Sequence, residues 1–359
     1  MTDTPDLTRL AAPKAPPFAI PTWIRPIPVP AGAHTLAGGW ATFDLVDIVQ
    51  RDAAGYSVSR TTPENMLAAA GDRNLAVSAL DRLTAVRPDW AGLSPGQPVI
   101  MGILNVTPDS FSDGGRHDAP ARAVAAGRAM IEAGAGIIDI GGESTRPGAE
   151  PVTRNQELAR VLPPLAGLKG AGAMLSIDTR HAEVMTRATA AGAGIINDVN
   201  GLRGEGVLHA ASASGAAVAI MHMQGTPETM QQDPYYGFAP VEIYTFLEER
   251  IAAAIGAGIP RARIAIDPGF GFGKSPAHNM SLIAWSAMFH GLGVPILIGV
   301  SRKSSIAILS AGEPADRRLA GSLGLAMAAV AQGCQILRVH DVAETRQALA
   351  IQMALMAGA

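Results

Sequence analysis

Cysteine is almost absent from this sequence, since its 359 residues contain a single one, Cys334. One cysteine excludes an intrachain disulfide and a cysteine-rich metal site, and it is consistent with a reducing compartment. Cys334 lies in an apolar stretch, where a free cysteine usually fills core space instead of acting as a nucleophile. No two histidines are spaced i, i+4 with a glutamate between them, so we do not expect a zinc site.

The chain also has no excess of basic residues, because 28 Lys and Arg stand against 31 Asp and Glu, a net charge of −3. Without a positive field, nucleic acid is not an expected partner. The most apolar stretch, residues 319–331, contains two glycines and a serine and is too short to span a bilayer, so we expect no membrane contact. The first residues, MTDTPDL, lack the basic and apolar regions of a signal peptide. We therefore expect a soluble, cytoplasmic protein.

Nucleotide-binding loops are missing too, although one segment resembles them. Gly273-Lys274-Ser275 ends like a P-loop, but Pro268 occupies the position five residues before Gly273, where that motif needs glycine. The spacing of the glycines in 269–273 also departs from the dinucleotide fingerprint. Both nucleotide interpretations fail. His222, between two methionines, is expected to be a packed structural histidine.

Proline is concentrated at the N-terminus, with eight in the first 30 residues. This density excludes a helix or a central strand, so we interpret residues 1–36 as an extended, Pro-rich arm. Residues 37–97 form a small appended segment whose role the sequence does not reveal. Its pattern predicts a strand at 40–50, a helix that begins at Thr62-Pro63, and a second helix at about 73–86.

From Pro98 onward, short apolar runs alternate with stretches of helical length. Near-continuous apolar strands are typical of a parallel sheet covered on both faces. Eight such runs predict a (β/α)8 TIM barrel over residues 98–359, with an N-terminal extension before it. A doubly wound sheet is the alternative, but it usually leads with a Gly-rich phosphate turn. The runs lie at 99–105, 137–142, 174–179, 195–199, 217–223, 264–269, 296–300 and 336–340.

Polar residues end nearly every one of these runs. In a barrel the carboxyl ends of the strands converge on one mouth, where active sites are built. A single polar residue at a strand end is usually a loop cap, but a set of them describes a polar pocket. The set is Asn105, Glu143, Asp178, Asn197, Asp198, Asp267, Arg338 and His340.

Several motifs in this region resemble those of the dihydropteroate synthases. The first is MGILNVTPDSFSDGG (101–115), and the second is GESTRPG (142–148). The resemblance extends over residues 98 to about 356, in order and at family spacing, and it leaves out the first 97 residues. The further motifs are SIDT (176–179), IINDV (195–199), MHMQGTP (221–227), DPGFGFGK (267–274), SRKS (301–304) and RVHD (338–341).

The resemblance implies an enzyme that joins a dihydropterin methyl diphosphate to 4-aminobenzoate and releases diphosphate. The flat edge of a pterin carries an amino group beside a ring N–H, and one carboxylate can accept from both. By resemblance Asp267 is that carboxylate, Asn197 and Asp178 complete the edge, and Lys303 donates to the ring. Met223 is expected to line the same pterin pocket.

Diphosphate and magnesium are expected at the mouth as well. Arg338 and His340 are two residues apart on one strand and therefore point the same way. With Asn105 they resemble the family's diphosphate pocket, and Asn105 is the residue expected to touch Mg²⁺. One asparagine is a poor Mg²⁺ site by itself, but Mg²⁺ usually keeps several waters and binds mainly through substrate phosphates, so a small protein contribution is consistent with the site.

By the same resemblance, 4-aminobenzoate lies near the first two loops. Ser304, with the N-terminus of the helix that follows it, is expected to hold the carboxylate. We expect the C–O bond to diphosphate to break first, with Asp178 and Asp113 stabilising the pterin methyl cation. The implied catalytic residues are Asp178, Lys303, Arg338, His340 and Asp113. The implied 4-aminobenzoate residues are Thr145, Arg146, Pro147, Phe111, Phe272 and Ser304, although Phe272 could equally be a core residue.

Two other functions stay open at this point. A pterin-dependent methyltransferase would share the barrel and the Asp/Asn set, but it has no use for the TPDSFSDGG, SRKS and RVHD segments. A non-catalytic paralogue would bind pterin without forming product. The resemblance further implies a homodimer through helices around residues 318–356, and inhibition by sulfonamides as mimics of the arylamine.

Overall fold

The computed structural model describes residues 22–53, 55–107, 115–143, 152–226 and 229–358, with backbone alone for 115–118. Within these ranges, no helix is long and apolar enough to cross a membrane.

The N-terminal extension is a small antiparallel sheet followed by two helices. Its strands are β1 (Thr22–Val29), β2 (His34–Thr35), β3 (Thr42–Asp52) and β4 (Gly55–Thr61), and its helices are α1 (Pro63–Ala69) and α2 (Arg73–Thr84). β3 is central, because β1 and β4 pair with it on either side. The predicted arm and the predicted appended segment therefore share one sheet from residue 22 onward.

Local chemistry accounts for both helix starts in the extension. The Thr62 hydroxyl accepts from Asn65 N, and Pro63 occupies the first turn, where no N–H partner is needed. The Asp72 carboxylate accepts from the backbone N–H groups of Asn74 and Leu75 and begins α2. The two helices predicted here are thus present, as is the strand predicted at 40–50.

The rest of the chain is a ring of eight parallel strands. They are β5 (Val99–Asn105), β6 (Ile137–Gly141), β7 (Met174–Asp178), β8 (Ile195–Asp198), β9 (Ala217–Met221), β10 (Ile264–Asp267), β11 (Leu297–Ile298) and β12 (Ile336–Val339). Each strand pairs with its neighbours in the chain, and β12 pairs with β5. A parallel bridge between Ile266 and Ile296 joins the remaining two edges. The predicted TIM barrel is confirmed, and the doubly wound alternative is excluded.

Helices surround this ring and follow the strands in turn. They are α3 (Gly115–Ala133), α4 (Arg154–Leu168), α5 (Ala182–Ala191), α6 (Val207–Ser214), α7 (Ala239–Gly256), α8 (Pro276–Ala284), α9 (Ser304–Leu309), α10 (Leu319–Ala331) and α11 (Val342–Ala357). A 3-10 helix at Ser286–Leu292 follows α8. Cys334 is fully buried, in keeping with a core role.

Trp90 closes the amino-terminal end of the barrel. It is 2% exposed and packs with inward-facing residues of the strands, among them Met101, Ile137 and Ile195. Its indole N–H donates to Arg263 O at 3.1 Å. The last part of the extension therefore fills the end opposite the mouth, where packing serves the stability of a barrel and not its catalysis.

The extension's sheet packs on the outside of the barrel around the 3-10 helix. Arg25 donates to Ala284 O at 2.8 Å and lies 4.5 Å from the centroid of the Trp285 ring. The buried carboxylate of Asp47 pairs with Arg25 on one side and with Arg60 on the other. Trp40 donates to Val330 O at 2.8 Å. The extension is thus docked on the barrel by both polar and apolar contacts.

Candidate active site

Asp139, Asp178 and Asn197 meet around the guanidinium of Arg338 at the barrel mouth. Arg338 Nε donates to Asp139 Oδ2 at 2.6 Å, and Nη2 donates to Asp178 Oδ2 at 2.7 Å. Asn197 Nδ2 donates to the same Asp139 oxygen at 3.0 Å. Alternation along each strand turns these side chains inward. One polar network therefore joins β6, β7, β8 and β12.

Asp267, the last residue of β10, faces this network across Gly299. A Cβ atom on Gly299 would lie 3.9 Å from Asp267 Oδ2 and 3.8 Å from Arg338 Cβ. Asp267 Oδ1 accepts from Gly269 N at 2.7 Å. Burial raises the pKa of Asp267, while the Gly269 N–H and the Lys303 charge oppose that rise. The three residues expected at the pterin edge, Asp178, Asn197 and Asp267, are thus placed around one space.

Asn105 and Asp178 approach each other across Gly141. A Cβ atom there would lie 3.7 Å from Asn105 Oδ1 and 3.6 Å from Asp178 Oδ2. Burial raises the pKa of Asp178 to about 7; the charge of Arg338 opposes this rise, and the Asp139 carboxylate adds to it. Asp178 therefore gains a proton far more readily than an exposed aspartate.

Arg338 keeps its charge in this setting. Burial by itself lowers its pKa, but the carboxylates of Asp139 and Asp178 outweigh burial and raise the pKa above the ordinary value. Two carboxylates share one guanidinium, so the network has a net negative charge whenever both carboxylates are ionised. A ligand that offers N–H donors suits such a site.

His340 lies beside Arg338 on the rim and is held by Ser301. His340 Nδ1 is 3.0 Å from Ser301 Oγ, and the His340 backbone N–H donates to the same hydroxyl at 3.2 Å. Burial lowers the pKa of His340 to about 3, and the charges of Arg338 and Arg302 lower it further. His340 is therefore neutral at neutral pH in this structure, and its Nε2 is the ring nitrogen on the far side from Ser301.

Lys303 precedes α9 and lies over Phe272. Its Nζ is 3.9 Å from the centroid of the Phe272 ring, within the range of a cation–π contact. Its stem packs on Gly271, where a Cβ atom would lie 3.1 Å from Lys303 Cδ. Phe272, for which core and site interpretations were balanced, is half-buried and contacts a candidate site residue.

The other expected site residues are distributed as follows. Met223 is buried in an apolar cluster with Val199, Met221 and Met230, against which Phe272 packs. Ser304 is exposed as the first residue of α9, a helix of six residues. Five residues lie outside the described ranges: Phe111, Asp113, Thr145, Arg146 and Pro147.

Asp139 is the member of the network that the sequence analysis did not single out. It lies in the middle of β6, is 1% exposed, and accepts from both Asn197 and Arg338 through one oxygen. The signal was available, because an aspartate inside the apolar run IIDIGG is costly unless it is paired. Its position in mid-strand places it outside the strand-end pattern.

Two of the polar strand ends serve the loops. Asp198 accepts from Asn200 N at 2.7 Å and from Leu202 N at 2.8 Å, and thereby shapes the turn after β8. Glu143 forms a two-pronged pair with Arg180, with both distances at 3.0 Å. For these two, the ordinary interpretation of a polar strand end as a cap or loop anchor holds.

His222 is buried, as expected of a structural histidine, and has a specific partner. Its Nδ1 lies 2.9 Å from Lys274 Nζ. Burial lowers its pKa well below the usual value, and the Lys274 charge lowers it further, so the ring is neutral. Lys274, part of the segment that resembles a P-loop, is thus buried and points into the protein.

Comparison with known proteins is consistent with this geometry. Residues 101–340 match the family described as pterin binding enzyme. The chain is 47% identical over 260 residues to dihydropteroate synthase of Escherichia coli K12, covering 72% of this chain and 92% of that one. It is 46% identical over 265 residues to dihydropteroate synthase of Neisseria meningitidis serogroup B, covering 72% of this chain and 93% of the other.

The solved structures that this chain resembles are also dihydropteroate synthases. A Xanthomonas albilineans dihydropteroate synthase with 4-aminobenzoic acid is 48% identical, with a TM-score of 0.71 over 76% of this chain and 98% of that one. The same enzyme in complex with 7,8-dihydropteroate gives a TM-score of 0.69 at 46% identity, over 76% of this chain and 99% of the other. A Yersinia pestis dihydropteroate synthase in a sulfonamide drug complex is 45% identical, with a TM-score of 0.71 over 74% and 96% of the two chains. The family match begins at residue 101, so the N-terminal extension lies outside it.

Proposed function

The chain belongs to the pterin-binding enzyme family and, within it, to the dihydropteroate synthases, and from this membership we propose how its barrel mouth works. It joins (7,8-dihydropterin-6-yl)methyl diphosphate to 4-aminobenzoate, giving 7,8-dihydropteroate and diphosphate. The enzyme is a transferase of folate biosynthesis. The observation that carries the proposal is the arrangement of Asp178, Asn197 and Asp267 around Arg338.

The pterin edge is recognised by acceptors whose orientation the network fixes. An ionised Asp139 carboxylate has no proton to donate and can act only as an acceptor. Asn197 must therefore turn its Nδ2, and not its Oδ1, toward Asp139. The Asn197 Oδ1 is then presented to ring or amino N–H groups of the ligand. Asp267 accepts from Gly269 N through Oδ1, and its Oδ2 lies toward the space beside Arg338. Such matched hydrogen bonding discriminates strongly against a ring that lacks the donors.

The diphosphate binds at the rim, with Arg338, His340 and Asn105 as its protein contacts. Arg338 already donates to Asp178, so an incoming diphosphate competes with Asp178 for the guanidinium. Release from Arg338 leaves the Asp178 carboxylate free to face the pterin. His340, neutral and fixed by Ser301, offers its Nε2 as a donor to the anion.

Magnesium fits this donor set if the substrate supplies most of its ligands. No group of three or more His, Cys, Asp and Glu side chains suited to a metal occurs in the described part of the chain. Asn105 Oδ1 at the rim is a neutral oxygen ligand of the kind that Mg²⁺ accepts alongside phosphates and water. We propose Mg²⁺ dependence on this basis, with the bound ion neutralising charge on the departing diphosphate.

The chemistry proposed for this site is dissociative. The bond between the pterin methylene carbon and the diphosphate oxygen breaks, and both electrons leave with the oxygen. In its ionised form, Asp178 places negative charge beside the resulting cation, as preorganised electrostatic stabilisation requires. The arylamine nitrogen then forms the C–N bond and gives up one proton to solvent. Asp113 would add to the stabilisation of the cation.

4-Aminobenzoate is proposed to bind next to Phe272, with its carboxylate at Ser304 and at the start of α9. Thr145, Arg146, Pro147 and Phe111 would complete that slot. Because sulfonamides resemble the arylamine, we expect them to compete with 4-aminobenzoate in a steady-state assay. Inhibition competitive with the pterin substrate instead would contradict this placement.

A homodimer is also proposed, through the helices around residues 318–356. In this range α11 exposes two large aliphatic side chains, Ile351 at 62% and Leu355 at 66%, and α9, earlier in the chain, exposes Ile308 at 66% and Leu309 at 56%. Exposed apolar side chains of this kind favour association. Sedimentation of the wild type should give a dimer that Leu355→Glu converts to a monomer. Val86→Glu, at a valine of the extension that is still more exposed (78%), should leave the dimer intact.

We further propose a cytoplasmic location, which the near-absence of cysteine supports. Fractionation of expressing cells, with activity recovered in the cytoplasmic fraction, checks it.

The central test is an assay for diphosphate release with each component left out in turn. We expect release to require the pterin diphosphate and 4-aminobenzoate together, and to fall when Mg²⁺ is chelated. Asp178→Asn and Arg338→Ala should each lose about 10²–10³-fold in kcat, as for other preorganised electrostatic groups. Glu132→Gln, at an exposed site on α3, serves as the control. Pterin binding without product formation would favour a non-catalytic paralogue.

A further inference from the structure

Lys274 and His222 form a buried pair behind the loop that joins β10 to α8, and the proposed chemistry makes no use of either. Lys274 is 3% exposed and His222 is 6% exposed. Lys274 Nζ donates to Phe272 O at 2.8 Å, lies 2.9 Å from His222 Nδ1, and lies 3.5 Å from His222 O. A buried amine is costly unless hydrogen-bonded, and these three contacts occupy it fully.

The loop 268–273 depends on support from neighbouring segments. Gly269, Gly271 and Gly273 have φ values of +73°, +81° and +62°, a region in which side chains are strained. A Cβ atom on Gly269 would lie 1.9 Å from His222 O, so the loop presses directly on the segment after β9. Lys274 holds the two segments together at this contact, because it bonds to Phe272 on one and to His222 on the other.

His222 is itself fixed, so the pair is a rigid base for the loop. The Phe246 ring stands edge-on to His222 with 4.8 Å between centroids, and Tyr236 packs at 6.0 Å. The Tyr236 hydroxyl donates to Gly273 O at 2.8 Å. The His222 backbone N–H donates to Asp267 O at 2.9 Å and ties the pair to the strand end that carries Asp267.

The loop in turn sets the position of Lys303. The Phe272 ring lies 3.9 Å from Lys303 Nζ, and Gly271 receives the Lys303 stem. Gly271 is anchored by Asn279 Oδ1, which accepts its N–H at 2.7 Å, and by Gln231, which donates to its carbonyl at 2.9 Å. A continuous set of contacts therefore runs from Lys274 through Phe272 to Lys303.

We propose that Lys274 is a positioning residue. Its amine donates to the Phe272 carbonyl and thereby fixes loop 268–273. The fixed loop then holds Lys303 where it can donate to the pterin ring. This inference rests on the proposed function, which gives Lys303 its role as a donor to the pterin. Lys274 itself touches no substrate. Its amine acts on the backbone of the loop, and the loop acts on Lys303.

The test is a double-mutant cycle read out by pterin binding. Lys274→Met keeps the length of the side chain and removes its donors. The probe is a 7,8-dihydropterin without diphosphate, titrated by calorimetry, so that no turnover is needed. We expect Lys274→Met to weaken pterin affinity about 10- to 100-fold, the usual range when a group that orients a ligand contact is lost. In a Lys303→Ala background the same change should cost less than about 3-fold, because the contact it orients is gone.

Two further variants keep the proposal testable if Lys274→Met folds poorly. Lys274→Gln keeps an N–H donor on a side chain one bond shorter and should recover part of the affinity. Phe272→Ala removes the link to Lys303, and adding Lys274→Gln or Lys274→Met to it should have little further effect. Lys169→Met, at an exposed lysine after α4, is the control that should bind pterin like the wild type.

The outcomes separate this inference from the proposed function. Equal losses from Lys274→Met with and without Lys303, or a Lys274→Met variant with wild-type affinity, overturn the positioning role. A different outcome is a wild-type chain that binds pterin but releases no diphosphate, while the variants show the expected coupling between Lys274 and Lys303. That outcome would overturn the proposed function and leave the positioning role standing.

Discussion

Asp139 Oδ2 lies 2.6 Å from Arg338 Nε and 3.0 Å from Asn197 Nδ2, so one buried oxygen orients two groups of the mouth. The two partners are 199 and 58 positions away in the chain. Their arrangement depends on barrel closure, because β6 and β12 are the two neighbours of β5.

Asp139→Asn should disturb both partners at once. The substitution removes a negative charge from beside a buried guanidinium, and breaking a buried pair costs about 3–5 kcal/mol of stability. We also expect pterin affinity to fall by about 10-fold or more, since a neutral amide oxygen in place of the carboxylate holds the Asn197 amide and Arg338 more weakly. Denaturation and calorimetric titration measure the two effects.

Asp198→Asn is the matched control for that experiment. Asp198 is buried one position after Asn197, but it caps the turn after β8. It should lose stability and keep pterin affinity. Loss of affinity in both variants to the same extent would show that Asp139 acts through general stability alone.

Pterin binding should weaken as the pH falls through about 7. Burial raises the pKa of Asp178 to about 7, so below that pH the carboxylate is protonated and its negative charge is lost. A 7,8-dihydropterin without diphosphate is the suitable probe, because the substrate's own phosphates titrate near this range. Affinity that stays flat from pH 8 to pH 5 would contradict the assignment of Asp178 to the pterin edge.

Glu157→Gln should make the stability of the protein less dependent on pH. Burial raises the pKa of Glu157 from 4.5 to about 7, with the Glu143 charge adding to the rise and the Thr179 hydroxyl opposing it. Between pH 4.5 and 7 the unfolded chain releases this proton while the folded protein keeps it. The free energy of unfolding therefore falls as pH rises through that window and levels off above it.

The size of that effect is on the order of 2 kcal/mol between pH 5 and pH 8. Urea denaturation of the wild type and of Glu157→Gln at the two pH values measures it, with Glu132→Gln as an exposed control. The same pH dependence in all three proteins would rule out Glu157 as the source. Pterin binding to Glu157→Gln should still weaken at low pH, but at a lower pH than in the wild type, because the Glu157 charge contributes to the raised pKa of Asp178.

Trp90→Ala should destabilise the barrel without changing the chemistry. Trp90 is 2% exposed at the end opposite the mouth, and losing a buried indole costs about 3–5 kcal/mol. Trp90→Phe should cost less, because it loses the bond to Arg263 O but keeps a packed ring. At low temperature, kcat/KM of both variants should stay within about 2-fold of the wild type, and a larger loss would mean that this end communicates with the mouth.

Most of the barrel could be predicted because each strand is buried on both faces and so appears as an apolar run. The predicted bounds of the strands were less accurate. The run at 296–300 forms a strand only at Leu297–Ile298, since Gly299 and Val300 already belong to the turn beside Asp267 and Arg338. In the extension, β4 was missed, because GYSVSRT is half-exposed along its length and alternates only weakly.

The proline-rich start of the chain forms a strand because that strand lies at the edge of its sheet. Pro26 and Pro28 excluded a central strand, and β1 is indeed an edge strand, where missing N–H groups leave no gap in the ladder. That β1 would pair with β3 could not be predicted from local pattern. In the site, the strand-end residues were identifiable, whereas the contacts of Asp139 and Lys274 were not, because they join segments far apart in the sequence.

The docking of the extension has a consequence for synthesis on the ribosome. Trp40 bonds to a carbonyl 290 positions later, and Trp90 to one 173 positions later. At roughly 5–20 residues per second, the carbonyl that Trp40 bonds to is made about 15–60 s after Trp40 itself. During that interval Trp40 and Trp90 have no barrel carbonyls to bond to. We therefore expect the barrel-facing side of the extension to stay exposed until the chain has been made through α10.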